Sequence, residues 1–413
     1  MANVLLIGSG PLPSPGETTL GFPQLRLARF KAALSAHRVT TVCLGTDVDP
    51  EDADWLEQLR ERGADAAVVV SAGPYLPGMA ACLIAGDRPV WADLPGDPFA
   101  ELQAATMAGV VDDARHAAAR AAALAVLSRA DGLSVISQHQ RYACLGQLGV
   151  LDRLRAPPKV AVQPVAYDWP FDKQSPRRPE AAPVIALSGG MNTWFDDVSA
   201  AALLDAALSA HPGLRVVSTG GGIVGHYTAG AERLTAWAAR SPHRDRITLH
   251  GWLPHRAVPD ALSAASTGLI LDVASAEPLL GSRTRALMFA WLGLQIAATP
   301  GCALLNAMAA EDLILPLTGN PRDNAALLIA PPDPDRVRRA DAWLTRHCAP
   351  DRCFAPLQQW LTAPTRAPAA PAAESLVAAN ARLKEALARI HQSPTWRLLS
   401  PIHQVIRRLS GPR

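Results

Sequence analysis

The densest chemical content of the chain is the run Gly281-Ser282-Arg283-Thr284-Arg285. A glycine lets the backbone come close to a ligand, a serine or threonine can cap a new helix, and the free N–H groups of a helix start attract anions. Two arginines in a first helical turn oppose the helix dipole, which favours acidic residues there. Their placement calls for an anionic partner, and a diphosphate fits. The polar loop just before this run carries Glu277.

Carboxylates also gather in Asp93-Leu94-Pro95-Gly96-Asp97-Pro98, with Glu101 one turn further on. Asp93 or Asp97 could orient or deprotonate a hydroxyl, a role that needs a carboxylate within hydrogen-bond reach. The plainer assignment makes Asp97 the cap of a helix opened by Pro98, and Asp93 a turn former. Another polar stretch runs Ser188-Gly189-Gly190-Met191-Asn192-Thr193-Trp194-Phe195-Asp196. Its two glycines suggest close approach to a ligand, with Asn192 and Thr193 as neutral donors. Alternatively it is only a helix start capped by Thr193 or Asp196. Gly220-Gly221-Gly222, followed by His226 and Tyr227, stands where a base could be held, or is a plain loop.

The elements that position these groups can be read from hydrophobic runs and their punctuation. Asn3 to Ile7 is an apolar strand, Leu25 to Ala36 a helix, Val39 to Leu44 a strand, Trp55 to Arg62 a helix and Ala66 to Val70 a strand. Each repeat takes about 30 residues, as βαβ units do. The alternation continues through strands at Pro89 to Ala92, Gly132 to Ile136 and Lys159 to Val165, so each polar cluster falls at the carboxyl end of a strand. That is where open parallel sheets place their chemistry. After Gly8-Ser9-Gly10 the dinucleotide fingerprint breaks at Pro11, so this loop reads as a wall for an acceptor or sugar, or as a simple turn.

Tyr167 to Pro183 is rich in Pro and charge and lacks periodicity, so it reads as a linker. A second series follows, with strands at Val184 to Leu187, Leu214 to Ser218, Ile247 to Leu249, Gly268 to Val273, Leu294 to Thr299 and Leu313 to Leu315. Helices are expected from about Val258 to Ala265 and from Ser282. The divisions are a first Rossmann-like acceptor domain over 1–166, the linker 167–183 and a Rossmann-like donor domain over 184–335. Helices over 336–362, a Pro/Ala linker over 363–373 and an amphipathic basic tail over 374–413 complete the chain.

The run from Gly251-Trp252 through Glu277 and Gly-Ser-Arg-Thr-Arg to Gly293 and Ala297-Ala298-Thr299 resembles the donor half of GT-B glycosyltransferases of the retaining, family-4-like kind. The resemblance implies an α/β GT-B fold, two Rossmann-like domains facing across a cleft, with a C-terminal helical tail. It implies transfer of a sugar from a nucleotide-diphosphate sugar to a glycan, lipid-linked or protein acceptor, in bacterial cell-surface polysaccharide assembly. In that family the first acid of a Glu-x7-Glu motif lies near the transferred sugar and the second binds the ribose. Glu277 matches the first; the strict spacing puts Arg285 at the second, and counting five back from Gly293 puts Met288 there. The resemblance makes Gly189, Gly190, Asn192, Trp252, Gly281, Ser282, Arg283, Thr284 and Arg285 donor-binding residues, with backbone groups near Trp252 on the nucleobase. With Glu277 from the resemblance, and Asp93 and Asp97 from their place at a strand end, the catalytic candidates are three. No metal or resident cofactor is expected, since the nucleotide sugar is a co-substrate. A nucleotide-sugar epimerase, or a non-catalytic GT-B partner or glycan-binding module, would share the architecture.

At 413 residues with 49% hydrophobic and 18% charged residues, the chain can build large cores. A net charge of +2 gives no nucleic-acid footprint. Six cysteines without CxxC spacing suit a reducing compartment. The N-terminus has no basic n-region, and no uncharged apolar run is long enough for a membrane helix. A cytoplasmic protein is therefore expected. The tail sets Trp396, Leu398, Leu399, Ile402, Val405, Ile406 and Leu409 beside Arg397, Arg407, Arg408 and Arg413. Such a pattern suits an anionic membrane surface, which would make the protein peripheral, and a homodimer or packing on its own chain is equally open to it.

Overall fold

A computed structural model describes residues 1–10, 12, 21–45, 52–175, 182–223, 227–368, 389 and 393. His226 and almost all of the basic tail lie outside the described residues. The chain forms two six-stranded sheets, and every strand pairing within them is parallel.

The first sheet holds β1 (Asn3–Ser9), β2 (Arg38–Leu44), β3 (Val68–Ala72), β4 (Val90–Leu94), β5 (Gly132–Val135) and β6 (Lys159–Val162), in the order β2-β1-β3-β4-β5-β6. The second holds β7 (Val184–Gly190), β8 (Arg215–Gly221), β9 (Ile247–Leu249), β10 (Thr267–Ile270), β11 (Gln295–Ala298) and β12 (Leu315–Pro316), in the order β12-β11-β10-β7-β8-β9. Runs such as Val68-Val69-Val70 are buried on both faces, because helices cover a parallel sheet above and below. Each order reverses once, between β1 and β3 in the first sheet and between β7 and β10 in the second. At such a reversal the connections diverge to opposite faces and leave a crevice beyond the carboxyl ends of the strands.

Helices α1 (Phe22–Ala33), α2 (Ala53–Arg62), α3 (Leu76–Ile84), α4 (Pro98–Met107), α5 (Asp113–Arg129) and α6 (Gln138–Val150) cover the first sheet. The second has α7 (Asp197–Ala210), α8 (Ala229–Arg240), α9 (Val258–Ala261), α10 (Ala276–Leu280), α11 (Thr284–Trp291), α12 (Ala303–Ala310) and α13 (Pro321–Ile329). The helix expected over 258–265 stops after Ala261, and Glu277 lies in the short helix α10 rather than in a loop. The helix expected from Ser282 opens two residues later, because Gly281 is still extended at φ −85°, ψ 178°.

α14 (Pro334–His347) and α15 (Pro350–Thr362) then lead back to the first domain. Phe354 of α15 meets Phe30 of α1 edge to face at 5.0 Å, and Trp360 lies 5.3 Å from Trp91 of β4. The Tyr167 hydroxyl donates to Asp341 at 2.6 Å, which ties the start of the linker to α14.

Candidate active site

Three glycine-bearing turns meet at the carboxyl ends of β7, β8 and β9. β7 and β8 stay paired to their last residues, Gly189 with Gly220 and Gly190 with Gly221. Gly220 has φ +89°, and a Cβ there would fall on the Gly189 carbonyl, so only glycine lets the two strand ends touch. The Gly220 N–H donates to Gly251 O at 2.7 Å, and the Met191 N–H to Gly221 O at 2.9 Å. Trp252 stands beside these turns, 40% exposed, with its indole N–H donating to Gly222 O at 2.8 Å. The Asn192 side chain is buried and accepts from the Thr193 N–H at 2.8 Å, so it shapes the turn. Asp196 caps α7 through Ser199 N at 2.9 Å. Beneath the turns, Ser188 and Thr219 share a hydrogen bond at 2.7 Å, and Met288 places its sulfur 3.9 Å from the Ser188 hydroxyl.

The two arginines of the central motif part company. Arg283 is 2% exposed and lies between two carboxylates. Its Nε donates to Asp272, its Nη2 to Glu277 at 2.8 Å and its Nη1 to the other Glu277 oxygen at 3.4 Å. Burial works against its charge, and Asp272 and Glu277 outweigh burial and hold it ionised. Burial likewise pushes the Glu277 carboxyl up, with Arg283 opposing. Gly281 is required here, because a Cβ would meet the backbone oxygen of Glu277 at 2.8 Å. The expectation that Arg283 faces a diphosphate is therefore corrected: its N–H groups bond Asp272, Glu277 and the Ser282 carbonyl, and the Trp194 ring lies over the guanidinium.

Arg285 is half-buried and donates to Gly190 O at 2.9 Å, below the Gly189-Gly190 turn. Burial lowers its pKa, and the Arg283 charge adds to that, while Asp272 and Glu277 oppose it. It stands in the first turn of α11, whose start has no side-chain cap and no acidic residue. Ser282 and Thr284 are half-buried around that start. This corner is the crevice between β7 and β10, where Gly189, Gly190, Ser282, Thr284 and Arg285 converge.

In the first domain the acidic cluster is also divided. Asp93 is fully buried and pairs with Arg26 through two bonds of 2.8 and 2.7 Å, while Ser134 donates to it at 2.6 Å. Asp97 caps α4, accepting from Phe99 N at 3.1 Å and Ala100 N at 2.9 Å, and its other oxygen takes Gln147 Nε2 at 2.6 Å. Both expectations of a free catalytic carboxylate are thus corrected, since the lone pairs that would receive a hydroxyl proton are already engaged. The residue left over is Glu101, half-buried and in the first turn of α4.

Sequence reasoning missed Asp272. Asp272 closes an otherwise apolar strand, and an acid there was the available signal.

No protein-family model matches the sequence, and no curated protein does. Solved structures do match the fold. Sucrose-phosphate synthase from Thermosynechococcus elongatus aligns at a TM-score of 0.57 and 15% identity, over 94% of this chain and 100% of that one. Anabaena HepE in complex with UDP-glucose aligns at 0.60 and 14%, over 88% of this chain and 100% of that one. The UDP-forming α,α-trehalose-phosphate synthase from Burkholderia vietnamiensis aligns at 0.61 and 11%, over 88% of this chain and 100% of that one. Two parallel-sheet domains, each with its crevice, and this likeness over most of the chain establish one architecture: the chain has the GT-B fold.

Proposed function

We propose that the chain is a glycosyltransferase that takes a nucleotide-diphosphate sugar in its second domain and passes the sugar to a glycan, lipid-linked or protein acceptor held by the first. The observation that carries this is Arg285 beneath the Gly189-Gly190 turn, beside the uncapped start of α11. Guanidinium, glycine backbone and helix start together offer a diphosphate its positive charge and N–H donors. The nucleobase would lie against Trp252 and the Gly220-Gly221-Gly222 turn. Glu277, fixed by Arg283, would border the sugar. Departure of the diphosphate concentrates negative charge at Arg285, and a preorganised cation aimed there lowers the barrier. Retention of configuration and a place in bacterial surface-glycan assembly are what the family resemblance adds to this reading.

Met288 favours a second reading. A thioether under Ser188, in place of an acid for the ribose, is what a non-catalytic partner that has lost its donor would also show.

The deciding measurement is thermal stabilisation across UDP-, GDP-, dTDP- and CMP-sugars, with Arg285→Ala alongside. A donor at about 100 times its dissociation constant should add roughly 2.7 kcal/mol, and Arg285→Ala should abolish the selective shift. Wild-type protein that responds to no donor would sink the enzyme reading and favour the partner.

A further inference from the structure

Two glutamates from different domains approach each other across the cleft. α10 carries Glu277 in its first turn and packs on α4, which carries Glu101 in its own first turn. Glu277 is spent on Arg283, and no arginine or lysine is hydrogen-bonded to Glu101 among the described residues. Its neighbour is Tyr75, whose hydroxyl lies 3.4 Å from one carboxyl oxygen and donates to Pro98 O at 2.8 Å. The other oxygen occupies the space that a Gly96 Cβ would need, so the glycine before the helix cap makes room for this carboxyl.

Tyr75 is held at φ 55°, ψ −121°, a conformation that a bulky L-residue adopts only when its surroundings impose it. It follows β3 at the reversal of the first sheet, the crevice where an open α/β sheet receives a ligand. With Asp93 and Asp97 engaged by their own domain, Glu101 is the carboxylate that α4 carries toward α10 and its Glu277.

We propose that Glu101 is the catalytic residue on the acceptor side, receiving the proton of the hydroxyl that attacks the donor sugar, and that Tyr75 is the positioning residue that aims its carboxyl. The proposal rests on the glycosyltransferase reading above. In the step, the acceptor oxygen bonds to the anomeric carbon from the face the diphosphate leaves, as retention requires, while the bond from that carbon to the diphosphate oxygen breaks. The electron pair leaves on the diphosphate, and the acceptor proton passes to Glu101 and then to solvent.

Glu101 must be ionised to receive that proton. Burial, and then the charge of Glu277, push its carboxyl up to about 8, with Asp97 adding to the rise and the Tyr75 hydrogen bond and Arg283 opposing it. Turnover should therefore climb with pH until about 8 and then level.

Water serves as the test acceptor. The probe is the nucleotide sugar giving the largest thermal shift in the panel, UDP-glucose among them, and the readout is release of free sugar between pH 6 and 9.5. Glu101→Gln should lower kcat by about 100-fold or more, flatten the pH profile and leave the donor's thermal shift intact. Tyr75→Phe should lower kcat less and move the inflection of the profile while the donor KM stays put. A Glu101→Gln variant that releases sugar at the wild-type rate with the wild-type profile overturns the proposal, and so does wild type that binds the donor yet releases none. Absence of any donor shift in wild type instead overturns the donor-site reading and takes this one with it.

Discussion

Replacing Arg283 by methionine tests whether the central arginine is an anchor of the fold. The wild-type side chain is 2% exposed and bonded to Asp272 and Glu277, which are themselves buried to 7% and 4% side-chain exposure. Methionine fills similar space and leaves two acids in a site built for one cation. Breaking a buried pair by removing one partner costs about 3–5 kcal/mol, because the remaining charge has neither water nor counter-ion. In a domain of this size that is on the order of 10 °C in Tm. The loss depends on pH in a definite direction. Burial already raises the Glu277 carboxyl, and without Arg283 it rises further. A carboxyl raised in the folded state contributes full stability below its unfolded pKa and loses it as pH rises through the folded value. The gap between wild type and Arg283→Met should thus be small near pH 5 and widen toward pH 8. Urea unfolding at both pH values measures it. A gap below about 1 kcal/mol at pH 8, or one that ignores pH, would refute the assignment of Arg283 to the fold.

Asp93→Asn should destabilise the first domain by about 3–5 kcal/mol through the orphaned Arg26, which is fully buried and also stacks near Phe30 and Phe354. Proteolysis or urea unfolding would show it, and a variant as stable as wild type would restore Asp93 as a free carboxylate. Trp252→Ala should weaken binding of the nucleotide alone by about tenfold, or 1.4 kcal/mol, with little change in Tm, since the ring is 40% exposed. Titration calorimetry with the free nucleoside diphosphate is the check, and unchanged affinity would remove the indole from the base site.

Much of the architecture was legible because parallel strands are buried on both faces and read as unbroken apolar runs. Val68-Val69-Val70 and Gly268 to Ile270 need no knowledge of their partners to be recognised. The turns were legible for the same local reason, since Gly189, Gly220 and Gly251 adopt backbone conformations that favour glycine. What the sequence withheld was the allocation of charge. Asp93 and its partner Arg26 are 67 residues apart, and Arg283 reaches Asp272 eleven residues back across a strand end. Residue type marks an acid as capable of chemistry, and only the fold decides whether its lone pairs are still available. Asp97 shows the point in miniature: the same oxygen that would take a hydroxyl proton closes the first turn of α4.

The division of labour between the two arginines follows from electrostatics. A diphosphate brought to the crevice between β7 and β10 arrives near Asp272 and Glu277, and at an effective dielectric of about 20 two like unit charges roughly 8 Å apart repel by ~2 kcal/mol. Unpaired, these acids would cancel much of what Arg285 offers. Arg283 discharges them from the inside, through bonds to both carboxylates in a place that water does not reach. Arg285 is left to face the Gly189-Gly190 turn, with no carboxylate bonded to it among the described residues. Under the proposed function, placing both arginines toward the ligand would leave Glu277 repelling the diphosphate. On that proposal, one arginine turned inward is what lets an acid and a turn that receives an anion occupy the same crevice.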